Sequence, residues 1–142
     1  MRLVRVYDEP RAVEILYQLL AERPKENWIS HTEMPTREEH EAFVHSKPFL
    51  YWYLIEEGGE FVGAIECNHR NEMGVSVLRK HQRRGYGTRA LGMFIAAHEP
   101  LPPIKAERAG IWLANIAGRN SASIRFFKKL GFRHLQETYG LK

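Results

Sequence analysis

The densest group of residues able to do chemistry is the segment QRRGYGTRAL, from Gln82 to Leu91. It holds two glycines and three arginines and no acid, and apolar residues of helical spacing follow it. A turn that runs from a strand into a helix presents several backbone N–H groups in one direction, at the positive end of the helix dipole. Glycines let an anion approach closely because they carry no Cβ. The segment therefore predicts a phosphate site, with an ordinary solvated basic turn as the alternative.

The charge around this segment is one-sided. Five basic residues fall within a stretch that contains no acid: Arg79, Lys80, Arg83, Arg84 and Arg89. The whole chain has 21 Lys+Arg against 17 Asp+Glu, a net charge of +4, which alone favours anionic partners only mildly. The local concentration of charge, more than the total, supports an anion site.

Two nucleotide-binding motifs have similar glycine patterns. Gly85, Gly87 and Ala90 satisfy G-x-G-x-x-G/A, but that dinucleotide-binding turn follows the first strand of a parallel sheet. Here several predicted strands precede the turn, and the residues after it are too few for two βαβ halves. The G-K-[ST] of a P-loop is also missing. Placement and sequence thus argue against both motifs.

The elements that must position this turn follow from periodicity and turn residues. In chain order they are a strand at 2–7, a helix at 8–23, a short helix at 37–47, a hairpin with strands at 49–56 and 61–68, a strand at 73–78, a helix at 86–98, a strand at 111–115, a helix at 121–130 and a last strand at 132–140. This order predicts an α/β (α+β) fold, with a mixed, mostly antiparallel central sheet flanked by helices.

Local signals mark the ends of these elements. Asp8 is the predicted N-cap of the first helix, and Thr36 with Glu39 forms a T-x-x-E capping box for the second. The hairpin is indicated by Gly58-Gly59 between two aromatic and β-branched runs. These signals predict a loop at 24–35 between the first two helices.

The segment VSVLRKHQRRGYGTRAL resembles the acetyl-CoA signature of the GNAT acyltransferase superfamily, Q/R-x-x-G-x-G/A, which residues 82–87 fill. A second segment, ANIAGRNSASIRFFKKLGF from Ala114 to Phe132, is similar to the C-terminal part of these proteins, where an asparagine precedes a helix that ends in K-x-G-F. The resemblance is good over about residues 60–142 and concerns the fold alone before that. It implies one GNAT-like acyltransferase domain spanning residues 1–142.

The resemblance implies acetyl-CoA as cosubstrate, without a metal, and a place for it. The pyrophosphate is expected on the backbone N–H groups of residues 83–88, and the pantetheine arm along the fourth strand, which splays from the fifth to leave a β4/β5 cleft. The implied cofactor-binding residues are Val75, Ser76, Val77, Gln82, Arg83, Arg84, Gly85, Tyr86, Gly87, Thr88, Asn115, Asn120 and Phe127. Asn120 has a second interpretation, as a helix N-cap.

The catalytic residues depart from the family's common pattern. Many relatives place a tyrosine that protonates the leaving thiolate where this chain has Phe127, and some place a glutamate where it has Asn115. Glu72 is the predicted general base, directly or through water, with a solvated strand-end charge as the alternative. Secondary candidates are Glu66 and His69 for the base, and Tyr139 or a water molecule for the acid.

A site with few acid–base groups suits an amine of low pKa. Neutralising a lysine of pKa ~10.4 at pH 7 costs about 4.6 kcal/mol, and an α-amino group near ~7.8 costs only about 1 kcal/mol. The predicted acceptor is therefore a small-molecule primary amine, such as an amino sugar. The residues expected to line its pocket, with core packing as the alternative for the aromatic ones, are Trp28, Ser30, His31, Thr32, Tyr51 and Tyr53.

Composition narrows the other function classes. No apolar run approaches the length of a membrane helix, and the N-terminus lacks the pattern of a signal peptide, so a cytoplasmic protein is expected. The single Cys67 and seven histidines without ligand spacing argue against a disulfide and a metal centre.

The rival hypothesis is a non-catalytic coenzyme A or nucleic-acid binding module, and one basic turn disfavours nucleic acid. An exposed edge strand would allow a homodimer.

Overall fold

A computed structural model of the chain describes residues 1–28 and 33–141. Its strands and α-helices, in chain order, are β1 (Arg2–Arg5), α1 (Ala12–Glu22), α2 (Arg37–His45), β2 (Tyr51–Glu57), β3 (Glu60–Cys67), β4 (Met73–Val77), α3 (Tyr86–Ala97) and α4 (Ser121–Lys129). Short 3₁₀ turns lie at Val6–Asp8, Lys25–Asn27 and Arg79–His81. The order of the first seven of these strands and α-helices is the predicted one.

The four strands form one sheet in the order β1-β2-β3-β4, and each neighbouring pair is antiparallel. β2 and β3 form the predicted hairpin, with Leu54 opposite Ala64, and the chain reverses at Gly58 and Gly59. Both glycines have positive φ, which a residue with a Cβ adopts only under strain. The glycine pair therefore sets the register of the hairpin, as the sequence predicted.

Helices cover both faces of this sheet. On one face, α1 and α2 bury Leu16, Leu19 and Val44 against Trp52 and Leu54. The other face carries a second apolar cluster, formed mainly by α3, α4 and the alternate strand positions: Ile55, Val62, Ile65, Cys67, Met73, Ala90, Leu91, Phe94 and Phe127. Successive strand side chains point to opposite faces, so each strand serves both clusters. The predicted α/β class, an antiparallel sheet flanked by helices, is confirmed.

Capping explains where α2 begins. The Thr36 side chain accepts a hydrogen bond from the Glu39 N–H, and the Glu39 carboxylate accepts one from the Thr36 N–H, which completes the predicted capping box. The prediction that Asp8 caps α1 is wrong. Asp8 ends a 3₁₀ turn, and α1 begins only at Ala12, after Arg11.

The strands predicted at 111–115 and 132–140 are absent from the described residues. Segment 111–115 makes one parallel bridge, between Glu72 and Leu113, and then leaves the edge of β4. Residues 132–140 consequently have no strand to pair with, and Leu135 and Tyr139 are 63% and 87% exposed. Apolar composition alone indicated strands there, whereas a strand also needs a ladder of hydrogen bonds with a neighbour.

Candidate active site

The turn between β4 and α3 is built by local hydrogen bonds and two left-handed residues. The Gln82 side-chain amide donates to the Val77 carbonyl oxygen at 3.0 Å, which closes the turn onto the end of β4. Arg83 and Gly85 then have φ values of 64° and 77°. A Cβ at Gly85 would have no neighbour within 4 Å, so its backbone conformation, not crowding, calls for glycine. The turn delivers the chain directly into α3 at Tyr86.

The first turn of α3 has backbone donors that the protein does not use. No described residue accepts a hydrogen bond from the N–H groups of Gly85, Tyr86, Gly87 or Thr88, and no side chain caps the helix. Four free N–H groups at the positive end of a 12-residue helix form a cradle for an anion. The predicted phosphate position is consistent with this geometry.

Part of the basic cluster beside this cradle has no acidic partner among the described residues. Arg79 donates its backbone N–H to the Glu22 carboxylate at 2.7 Å, and Arg89 lies 3.3 Å from Glu57. Within the described ranges, the exposed side chains of Arg83 and Arg84 form no ion pair. These two arginines can therefore add positive charge where the helix dipole already attracts an anion.

Gly87 brings three elements together beneath the cradle. It is buried in the first turn of α3, and a Cβ there would lie 3.3 Å from the Phe126 ring and 3.5 Å from Val75. Phe126 belongs to α4 and Val75 to β4. The absence of a side chain at Gly87 thus lets α3 approach β4 and α4 closely, in addition to leaving its N–H accessible.

The edge of β4 beyond this turn is open over part of its length. Along an antiparallel strand, the main-chain N–H and C=O groups of successive residues point to opposite edges. Those of Gly74 and Ser76 point to β3. The main-chain groups of Met73 point to the other edge, where its N–H donates to the Leu113 carbonyl oxygen at 2.8 Å. By the same alternation, the main-chain groups of Val75 and Val77 point to that edge too. Segment 111–115 makes no main-chain hydrogen bond to β4 beyond Leu113, so the main chain of Val75 and the N–H of Val77 have no partner strand on that edge. We refer to this unpaired edge and the segment opposite it as the cleft.

This alternation separates the three β4 residues predicted to bind the cofactor. Val75 and Val77 present main-chain groups to the cleft, although the Val77 oxygen already accepts the Gln82 amide. The main chain of Ser76 pairs with Ala64, and its hydroxyl accepts a hydrogen bond from Arg23 on the α1/α2 face. Ser76 is therefore placed away from the cleft edge.

Glu72 stands where β4 and segment 111–115 part. The Asn115 side-chain amide donates to its Oε2, and the Asn68 amide donates to its Oε1 at 3.3 Å. The guanidinium of Arg70 lies 3.9 Å from Oε1, and the carboxylate side chain is 22% exposed. The predicted base and Asn115, which was predicted to bind the cofactor, are thus in direct contact at the closed end of the cleft.

Asn71, which sequence reasoning missed, holds the wall opposite β4. It is 1% exposed, has a φ of 64°, and accepts the Leu113 N–H on its main-chain oxygen at 2.9 Å. Its side-chain amide donates to the carbonyl oxygens of Leu101 and Ala109, and its Oδ1 accepts the Leu101 N–H. One asparagine side chain therefore ties residues 101–109 to the β3–β4 loop.

Three predicted residues have roles other than contact with the cleft. Asn120 caps α4, since its Oδ1 accepts the Ser123 N–H at 3.1 Å, as the alternative interpretation proposed. Phe127 is 5% exposed and packs against Phe126 and Phe132 in the α3/α4 cluster. Tyr139 donates its hydroxyl to Glu137 on the surface. The described geometry supplies no tyrosine hydroxyl at the cleft in place of Phe127.

The predicted acceptor pocket is divided by the sheet. Tyr51 and Tyr53 pack against Phe94 and His98 on the α3 face, with the Tyr53 hydroxyl 3.0 Å from His98 Nε2. Their placement in one pocket with Trp28 is wrong, because Trp28 lies near the end of α1, where its indole donates to the Arg23 carbonyl oxygen. The other three predicted lining residues, Ser30, His31 and Thr32, lie outside the described residues.

A second set of polar side chains lies on the α1/α2 face of β3 and β4. Glu66 pairs with Gly74, and its partly buried carboxylate lies across that glycine. Burial raises the pKa of Glu66, and the nearby charge of Arg23 opposes the rise. Ser76, two residues beyond Gly74 on β4, accepts a hydrogen bond from Arg23 Nη2 at 3.0 Å. His69, the other secondary candidate on the sequence, has an exposed side chain.

Metal and thiol chemistry find little support in the part of the chain that is described. No group of three His, Cys, Asp or Glu side chains there could hold a metal ion. Burial raises the pKa of the Cys67 thiol to about 11, so this thiol is neutral at pH 7. No described helix has the length and apolarity to span a membrane.

Solved structures share this fold. An acetyltransferase from Thermus thermophilus superposes with a TM-score of 0.71 at 22% identity, over 96% of this chain and 88% of that one. An N-acetyltransferase from Staphylococcus aureus gives 0.65 at 19% identity, over 95% and 83%. The yncA structure from Salmonella typhimurium, which contains its cofactor acetyl-CoA, gives 0.61 at 23% identity, over 92% and 77%. At these identities the likeness concerns the fold.

The sequence itself identifies the family. No curated protein matches this chain significantly, but residues 13–132 match the model of the Acetyltransferase (GNAT) family. That range contains the basic turn, the open edge of β4, Glu72 and helix α4. The free N–H groups at α3, the two unpaired arginines and the open strand edge fit the pyrophosphate and the amide-bearing arm of acetyl-CoA. The chain therefore belongs to the GNAT acetyltransferase family and is an acetyl-CoA-dependent N-acyltransferase.

Proposed function

We propose that this chain transfers the acetyl group of acetyl-CoA to the primary amine of a small molecule, such as an amino sugar, within one acyltransferase domain spanning residues 1–142. The observation that carries the proposal is the position of Glu72 at the closed end of the cleft, in contact with Asn115 and Asn68. When bound, acetyl-CoA would supply a thioester carbonyl carbon for attack by the amine nitrogen, and coenzyme A would leave as the bond between the acetyl carbon and sulfur breaks.

In this proposal the first turn of α3 and the edge of β4 hold the cosubstrate. The N–H groups of residues 85–88 and the side chains of Arg83 and Arg84 bind the pyrophosphate oxygens. The main chain of Val75 and the N–H of Val77 bind the amide groups of the pantetheine arm, as an added strand would. This direction of binding carries the thioester along β4 toward Glu72.

Glu72 acts as the general base, directly or through a water molecule. It removes the proton that the attacking amine must lose, and the donors Asn115 and Asn68 fix its orientation. Phe127 has no proton to give, so coenzyme A leaves as a thiolate or receives its proton from water. A cytoplasmic location, expected from the sequence, remains part of this proposal, and the sequence allows a homodimer.

Replacing Glu72 with glutamine tests the assignment. Glutamine keeps the size of the side chain and can still accept from Asn115, but it cannot take a proton, so kcat should fall by roughly 10²–10⁴-fold. Steady-state release of coenzyme A thiol with an amine acceptor measures the rate, and calorimetric titration measures acetyl-CoA binding. Glu41→Gln, on the exposed face of α2, is the matched control.

Three results would count against the proposal. An unchanged rate in Glu72→Gln would remove Glu72 from the mechanism. Acetyl-CoA binding without acetylation of any amine by the wild-type protein would favour the non-catalytic coenzyme A module. Salt-sensitive binding of a short single-stranded DNA in place of acetyl-CoA would instead favour a nucleic-acid partner.

A further inference from the structure

The Glu66 carboxylate occupies space that the structure keeps open for it. Glu66 and Gly74 are directly opposite in the β3–β4 ladder, and a Cβ at Gly74 would collide with the Glu66 carboxylate. The carboxylate therefore lies flat across β4, where an ordinary side chain would exclude it. A glycine inside a strand often marks a place where another group approaches the backbone closely, and here that group is the Glu66 carboxylate.

Nothing in the described part of the protein compensates this carboxylate fully. Among those residues, no side chain donates a hydrogen bond to Glu66 or forms an ion pair with it. Burial without a partner favours the neutral form, which is why the pKa of Glu66 is raised. A partly buried carboxylate that forms no direct ion pair with the described residues can take a ligand cation as its partner.

Arg23 supplies the opposite charge at a short distance along the same strand. Its Nη2 donates to Ser76 Oγ at 3.0 Å, and in the described ranges its guanidinium has no carboxylate partner. Ser76 lies two residues beyond Gly74, so the strand positions beside which the two charged groups lie are roughly 7 Å apart along β4. Arg23 is exposed at the end of α1, beside Trp28.

The two charges lie on the same face of the strand as the proposed base. Alternation along the chain places Glu72, Gly74 and Ser76 on the α1/α2 face, because their neighbours Met73 and Val75 join the α3/α4 cluster. The Glu66 carboxylate lies across Gly74, which is two residues from Glu72 along the chain. An amine held by Glu66 would be close to the group that must deprotonate it.

We propose that Glu66 binds the ammonium of the acceptor and that Arg23 binds an anionic group of the same molecule. This inference rests on the proposed function and narrows its substrate. Each charged hydrogen bond takes up about 2.8 Å, so a span of roughly 7 Å suits a small molecule whose anion is only a few bonds from its nitrogen. Amino acids and amino-sugar phosphates share this chemistry, and neutral amino sugars lack it.

Two pairs of acceptors distinguish a carboxylate from a phosphate as the anionic group. L-Alanine is compared with L-alaninamide, and glucosamine 1-phosphate with glucosamine. Because amidation also lowers the pKa of the α-amino group, kcat/KM in the first pair is expressed per unprotonated amine. The anionic member of at least one pair should have a kcat/KM about tenfold higher, and Arg23→Gln should remove that preference. Which pair shows the preference identifies a carboxylate or a phosphate as the anion.

Two variants test the Glu66 carboxylate in different ways: one removes its charge and the other displaces it. Glu66→Gln should raise KM for the preferred acceptor about tenfold while kcat at saturation changes by less than about threefold. Gly74→Ala keeps the carboxylate but displaces it, so KM should rise in the same direction. Glu41→Gln is again the control. Glu66→Gln should also raise the Tm of the free protein, because it removes an uncompensated charge, and should abolish the Tm increase caused by the acceptor.

The outcomes distinguish this inference from the function beneath it. Failure of the wild-type protein to bind acetyl-CoA in calorimetry would refute the proposed function. Acetyl-CoA binding with acetylation of no anionic amine, or with equal kcat/KM within both pairs, would overturn the role of Arg23. An unchanged KM in Glu66→Gln would overturn the role of Glu66, whatever its effect on Tm.

Discussion

Replacing Asn71 with alanine should destabilise the protein severely, although Asn71 is a loop residue. The change removes three hydrogen bonds, to Leu101 O at 3.0 Å, to Ala109 O at 2.9 Å and from Leu101 N at 2.8 Å. A neutral hydrogen bond contributes roughly 1 kcal/mol, so their loss costs about 3 kcal/mol. Alanine at a φ of 64° adds roughly 1 kcal/mol relative to asparagine. The expected loss is about 4 kcal/mol.

Thermal and urea unfolding measure this loss. For a domain of this size it corresponds to a decrease in Tm of roughly 12–16 °C. Asn71→Gly removes the same side-chain hydrogen bonds but adopts positive φ freely, so it should be more stable than Asn71→Ala by about 1 kcal/mol. Asn71→Asp keeps the acceptor for Leu101 and places a charge against two carbonyl oxygens, so it should be no better than alanine.

Two results would refute this reasoning. A loss of less than about 1 kcal/mol in Asn71→Ala would mean that water replaces the three hydrogen bonds at little cost. Equal stability of the alanine and glycine variants would show that the left-handed backbone carries no penalty. The folded fraction of Asn71→Ala should also turn over more slowly, because Leu113 links Asn71 to the wall that carries Asn115.

Two other predictions concern residues away from the cleft. Phe127→Tyr should lower the Tm without raising kcat, because the added hydroxyl enters an apolar cluster; a tenfold faster rate would place the ring beside the thiol after all. Burial lowers the pKa of His40 below its ordinary value of 6.5, with Arg37 also lowering it and Glu14 opposing. Near this pKa the folded state therefore binds fewer protons than the unfolded state. The free energy of unfolding consequently decreases as the pH falls below about 6.5. Urea unfolding at about pH 7.5 and about pH 5.5 measures the effect. Between these two pH values, the free energy of unfolding should decrease less in His40→Gln than in the wild-type protein, and an equal decrease would contradict this.

The cofactor-binding half of the site was largely predictable because its determinants are local. The glycines at 85 and 87, the arginines between β4 and α3 and the Gln82 amide all act within a few residues of one another. Local determinants leave a readable pattern in the chain, as the capping box at Thr36 also did. The same holds for the β2–β3 hairpin, whose register depends on two adjacent glycines.

The acceptor half was not predictable in the same way. The importance of Gly74 depends on its register with Glu66 across a loop, and Ser76 was assigned to the cofactor because strand alternation relative to β3 was unknown. Asn71 appeared to be an ordinary turn residue, and only its contacts with the distant residues Leu101 and Ala109 reveal its role. The sequence signal that could have indicated this role is an asparagine directly before a strand, since asparagine is one of the residues that most often adopt positive φ.

Segment 111–115 was predicted as a strand because IWLAN has the composition of one. Its main chain is tied to β4 through Leu113 alone, by one hydrogen bond to Asn71 and one from Met73. The composition of a segment indicates how well it suits a half-buried, extended conformation. Whether the segment forms a strand also depends on where the neighbouring strand lies. The divergence that defeats the strand prediction is the same feature that opens the cleft.

The tether at Asn71 gives this wall of the cleft a local stability of its own. Residues 101–113 are joined to the sheet and the β3–β4 loop by a few hydrogen bonds, those of Asn71 and Met73 and one from the Arg108 guanidinium to the His69 carbonyl oxygen, whereas β2 and β3 are paired along their length. Native-state hydrogen exchange should therefore detect them as a separate cooperative unit, opening at a lower free energy than β2 and β3. Opening of that unit alone would widen the cleft while β2 and β3 stay paired.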